Sequence, residues 1–62
     1  MATLHLTDLG TTSNASVVLR RVDSGVAFGF GIESNGDLDL VLSDVDTRRL
    51  IDSVANVLGE RP

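Results

Sequence analysis

Val26-Ala27-Phe28-Gly29-Phe30-Gly31-Ile32 decides the fold. Its large apolar residues stand at every second position, the period of a half-buried β-strand. Val26, Phe28, Phe30 and Ile32 therefore share one face, and Ala27, Gly29 and Gly31 share the other. The next stretch, Asp37 to Leu42, repeats the pattern with Leu38, Leu40 and Leu42 pointing inward. On the N-terminal side, Ala15 to Val22 reads as a strand with Ala15, Val17 and Leu19 inward, because that set holds no charge before Arg21. Thr3 to Thr7 adds a fourth strand through Leu4 and Leu6. Between the first two strands, Leu9 to Asn14 is dense in Gly, Thr, Ser and Asn and reads as a loop.

The period changes after Ser43. Leu50, Ile51, Val54, Val57 and Leu58 follow the i, i+1, i+4, i+7, i+8 spacing of an amphipathic helix. Ser43 with Asp46 forms a capping-box-like start, and Asp44 and Asp46 suit the positive end of the helix dipole. Gly59 is placed as the stop, and Pro62 cannot extend the helix. Asp44 with Arg48 and Arg48 with Asp52 have the spacing of surface pairs. The predicted helix covers residues 44–58, long enough at ~1.5 Å per residue to run the length of a strand. The fold class is α+β: a four-stranded antiparallel β-meander with one C-terminal α-helix packed on one face, ββββα, as a single domain of residues 1–62. The expected core is Leu4, Leu6, Val17, Leu19, Val26, Phe28, Phe30, Ile32, Leu38, Leu40, Leu42, Leu50, Ile51, Val54, Val57 and Leu58.

Paired residues of an antiparallel ladder share a face, so the alternation restricts the register. Around a Val22–Gly25 turn, Leu19 meets Phe28 and Val17 meets Phe30. A three-residue loop, Ser34-Asn35-Gly36 with Gly36 left-handed, sets Ile32 against Leu38 and Phe30 against Leu40. For the first pair, Leu6 is set against Val17 and Leu4 against Leu19. The opposite sheet face then carries three rows: Thr3, Arg20, Ala27; His5, Val18, Gly29, Val41; and Thr7, Ser16, Gly31, Asp39. Glu33 is set across from Asp37. One helix leaves this face open, and two alternate glycines at its centre mark a place for close approach. His5, Val18, Arg20, Gly29, Gly31 and Val41 are the candidate interaction surface.

The chemistry-bearing residues are sparse. Gly29-Phe30-Gly31 is no dinucleotide loop, since position 34 is Ser and the segment continues as a strand. His5 is the one histidine, and a triad with Ser16 and Asp39 fails because Asp39 lies two strands beyond Ser16. Glu33, Asp37 and Asp39 lack the carbonyls and spacing of a calcium loop and suit instead the protection of a sheet edge. The reading therefore assigns no catalytic residue, no metal and no cofactor.

Composition narrows the classes further. A chain of 62 residues, 42% hydrophobic with formal net charge −4, is too small for a multidomain enzyme and too apolar for a disordered acidic tail. Without cysteine it has no disulfide scaffold or thiolate zinc site. Nine acidic against five basic residues, with no basic stripe, argue against nucleic acid. No apolar run reaches the ~18 residues of a membrane span, and Met1 to His5 has no signal-peptide character, so a cytoplasmic protein without membrane contact is expected. All five basic residues are arginine, the usage of a GC-rich bacterium or its phage. The expected function is a small non-enzymatic protein-interaction module: an inhibitor, antitoxin-like or host-modulating accessory protein binding a partner protein by its open sheet face or an edge strand. A homodimer through the same surfaces is expected, because so small a core lacks other staples. The alternative is a small oligomeric enzyme or ligand-binding subunit using His5 in a pocket at the subunit interface. A third reading, an acidic nucleic-acid mimic, asks for more negative charge.

Overall fold

The alternating stretches form four antiparallel strands in one sheet of order β1-β2-β3-β4, followed by one helix. They are β1 (Ala2–Asp8), β2 (Ser13–Val22), β3 (Gly25–Ile32), β4 (Gly36–Ser43) and α1 (Asp44–Leu58). The structure, a computed structural model, describes residues 1–33 and 36–60. This is the expected ββββα meander, with the helix bounds at the expected residues. Ser43 caps α1, its hydroxyl oxygen accepting from the Asp46 amide at 3.1 Å. Gly59 ends it in the left-handed conformation at φ 84°.

Each strand keeps its expected inward face, but two of the three registers are displaced by two residues. In the centre, Leu19 faces Phe28 and Val17 faces Phe30, as expected. Between β1 and β2, Leu4 faces Val17 and Leu6 faces Ala15, where Leu19 and Val17 were expected. The cause is Asp8. Its carboxylate accepts from the Gly10 amide and the Thr11 hydroxyl, both at 2.9 Å, so it closes the connection over residues 9–12 and the strands pair up to Asp8 and Ser13. Between β3 and β4, Phe30 faces Leu38 and Ile32 faces Gly36, where Leu40 and Leu38 were expected. Gly36 is left-handed at φ 89° as expected, but it opens β4 rather than closing the loop. Ser34 and Asn35 lie outside the described residues. Glu33 continues the pairing of β3 with β2, its amide donating to the Asn14 carbonyl at 3.1 Å.

The larger departure is the core. Among the described residues Val17, 5% exposed, is the one buried large apolar side chain. Leu19, Val26, Phe28, Phe30, Ile32, Leu40 and Leu42 are half-buried. Leu4, Leu6, Leu38, Leu50, Ile51, Val54, Val57 and Leu58, all expected inside, are exposed. The reason is coverage, since α1 meets chiefly β3 and β4. Its first two turns close a wedge in which Asp44, Thr47, Arg48 and Ile51 stand against Arg21 and Val26. The leucines of β1 and the last turn of the helix receive no such cover.

One corner anchors the helix. The Asp44 amide donates to the Ser24 carbonyl at 3.1 Å. The Arg21 guanidinium donates to the Gly25 carbonyl at 3.0 Å and pairs with the Asp44 carboxylate. Asp44 thus pairs with Arg21 on β2, where the expected partner was Arg48. On the helix itself Arg49 approaches Asp46 at 3.4 Å. Gly25 is buried, and a Cβ there would stand 2.1 Å from the Leu42 carbonyl oxygen. Only glycine allows the backbones of β3 and β4 to meet this closely beside the helix start. Gly25→Ala is expected to cost about 3 kcal/mol, the top of the usual overpacking range, read by chemical denaturation. Ser43→Ala, which removes only the cap, is expected to cost ~1 kcal/mol. If Gly25→Ala costs no more than Ser43→Ala, the close approach of β3 and β4 is not what seats the helix.

Candidate interaction surface

The six candidate residues share the sheet face opposite α1, contributed by all four strands. The displaced registers change their neighbours. One row reads Thr3, Val18, Gly29, Asp39, and the next His5, Ser16, Gly31, Asp37. Arg20, Ala27 and Val41 form the row nearest the helix start. Val18 and Gly29 are therefore neighbours as expected. His5 lies beside Ser16 rather than Val18, and Val41 beside Ala27 rather than Gly29. Asp39 faces Gly29 and Asp37 faces Gly31, each one row from its expected place.

The glycines leave room, and the chain fills it with its own carboxylates. A Cβ on Gly29 would stand 3.3 Å from an Asp39 carboxylate oxygen. A Cβ on Gly31 would stand 3.3 Å from both an Asp37 carboxylate oxygen and the Ser16 hydroxyl. The flat centre expected from small residues is thus shallow but acidic. Two open hollows result. One, of about 380 Å³, is lined by Val18, Arg20, Ala27, Gly29, Asp39 and Val41, with the edges of Phe28 and Leu40. The other, of about 480 Å³, takes in His5, Asn14, Ser16, Gly31, Glu33 and Asp37. The first joins apolar walls to one guanidinium and one carboxylate. The second carries more polar side chains, with Ala15 and Ile32 among them.

His5 is exposed on β1, an outer strand. Asp37 replaces Asp39 in its row but still lies beyond Gly31, so strands ~4.8 Å apart keep it from the imidazole. Asn14 reaches Glu33 at 3.5 Å, which ties Glu33 to β2 rather than across from Asp37. Among the described residues no three acidic or imidazole groups stand together as metal ligands, and no helix is long and apolar enough to cross a membrane.

The two outer strands differ. β4 carries Asp37 and Asp39, charges that discourage a further strand from adding there. β1 runs Ala2-Thr3-Leu4-His5-Leu6-Thr7 before its first acid at Asp8, and its outer edge has none of the lysines or prolines that block strand addition. Sequence reasoning missed the exposed apolar residues of the helix-bearing face: Leu4 and Leu6 at the β1 edge, Leu38 at the β4 edge, and the flank of α1. The signal was present in the dimensions, because a helix ~10 Å across covers about two strands at ~4.8 Å spacing. Against family models, curated proteins and solved structures, the chain has no match.

Proposed function

We propose that the chain is a small non-enzymatic interaction module that binds a partner protein through the sheet face opposite α1. The reading places it among inhibitors, antitoxin-like proteins or host-modulating accessory proteins, acting in the cytoplasm of a GC-rich bacterium or encoded by its phage. The observation that carries it is the first hollow. Val18 and the 66%-exposed Val41 give it apolar walls, and Arg20 and Asp39 line it with opposite charges. Exposed apolar surface interleaved with charged groups that can pair across a contact supports a protein-binding reading. The unguarded β1 edge offers a second mode on the same sheet, addition of a partner's strand.

The ligand-binding reading has one observation in its favour, the hollow shared by His5, Ser16 and Asp37. The two readings differ in what His5 and Val41 do. The immobilised chain, exposed to extract of its source cell, is expected to retain a protein in stoichiometric amount. Val41→Arg should lose that protein with an unchanged circular-dichroism spectrum, whereas His5→Ala should keep at least part of it. Equal retention by wild type and Val41→Arg would remove the open face from the proposal. A small molecule that raises the melting temperature of wild type but not of His5→Ala would favour the ligand-binding subunit.

A further inference from the structure

The chain exposes 4974 Å². A folded monomer of 6.6 kDa is expected to expose about 3,900 Å². The excess of about 1,100 Å² exceeds the ~800 Å² that each partner contributes to a standard stable interface. The shape agrees: the radius of gyration is 12.8 Å, against about 11 Å for a compact domain of this length.

Much of the exposed apolar surface lies on the helix-bearing side. Leu4 and Leu6 on β1 are 48% and 50% exposed, Leu38 on β4 60%, and Val57 near the end of α1 87%. The strands and the helix add to this from different directions. Asp44, Thr47, Arg48 and Ile51 face the sheet, while Leu50, Val54 and Val57 lie roughly a quarter-turn round the helix. The helix therefore presents an apolar flank turned away from the wedge, and the β1 leucines lie on a part of the sheet that α1 does not reach.

We propose that two copies of this chain associate through the helix-bearing face, each covering the leucines and the helix flank that the other leaves exposed. The occupant is a second copy because the surface in question is the fold's own missing core. With Val17 the one buried large apolar side chain among the described residues, a single chain has little to offset the entropy of folding. Its cover must be permanent and equal in number to the chains. A flat apolar strip and a convex apolar flank on the same side of the chain can each meet their counterparts on a second copy across a twofold axis. The opposite face, the surface expected from its glycines, is less suited to its own copy. The room at Gly29 and Gly31 is taken by the Asp39 and Asp37 carboxylates, 3.3 Å from where a Cβ would stand. In this dimer both open faces point outward, so the assembly is independent of the partner proposed above and presents that partner with two sites.

The experiment is light scattering at micromolar concentration with two variants. Wild type is expected at twice the 6.6 kDa chain mass, with a melting temperature that rises with protein concentration. Val57→Asp is expected to weaken association at least ~10-fold. Val41→Arg, on the open face, is expected to keep the doubled mass. Unfolding of Val57→Asp also supports the proposal, provided that wild type melts in a concentration-dependent way, because a side chain this exposed in one chain has no part in holding that chain together. A folded wild-type monomer with concentration-independent melting overturns it. So does a doubled mass retained by Val57→Asp, or a loss in Val41→Arg equal to that in Val57→Asp.

Discussion

One helix is too narrow for the sheet it serves. Four strands at ~4.8 Å spacing present an apolar strip about 14 Å wide between outer axes, wider with side chains, and a helix is ~10 Å across. Wherever α1 lies, about half of that face is left without a second layer. The chain places it over β3 and β4, so the uncovered half is that of β1 and β2, and β1 loses most. Val17, in the interior strand β2, is flanked by Leu4 and Phe30 and is buried. Leu4 and Leu6 have a neighbour on one side only.

The placement of the helix follows from a steric fact more than from charge. At Gly25 the backbones of β3 and β4 approach until a Cβ would overlap the Leu42 carbonyl oxygen, and Ser43 and Asp44 follow directly. The chain thus leaves β4 and turns into α1 against the Asp23–Ser24 turn, where the Ser24 carbonyl takes the first helical amide. The Arg21–Asp44 ion pair lies over this corner but both side chains are exposed. In water such a pair contributes ~0–1 kcal/mol and is screened by salt. It orients a junction that the glycine makes possible.

The sequence carried the parity of every strand and missed the register of two. Alternation says which residues share a face, and a slip of two residues leaves every face unchanged. Only the loops separate the alternatives, and each loop was decided by one side chain or one backbone angle. Asp8 shortens the first connection by accepting two hydrogen bonds. Gly36, legible as a left-handed glycine, gave no sign of whether it ended the loop or began the strand. The helix was legible to the residue because Ser43 and Gly59 are strong local signals. The core was not, because burial depends on what lies above each residue. Periodicity reports only the direction in which a side chain points. For the candidate surface, the shared face of His5, Val18, Arg20, Gly29, Gly31 and Val41 followed from parity, whereas the Asp39 and Asp37 carboxylates over the glycines followed from register and stayed hidden.

These two kinds of information separate the two faces of the sheet in what they can do. Away from the Arg21–Asp44 corner the helix-bearing face is largely apolar, with Leu4, Leu6, Leu38 and the flank of α1 exposed. Water is a poor solvent for so much contiguous hydrocarbon, and such a patch calls for a cover that stays in place. The opposite face mixes Val18 and Val41 with Arg20, His5, Asp37 and Asp39. It is solvated well enough to stand free, and its charges give it the means to discriminate among partners. The apolar side of the sheet is therefore the one proposed to hold two copies together, and the mixed side, opposite it, is the one proposed to recognise a partner.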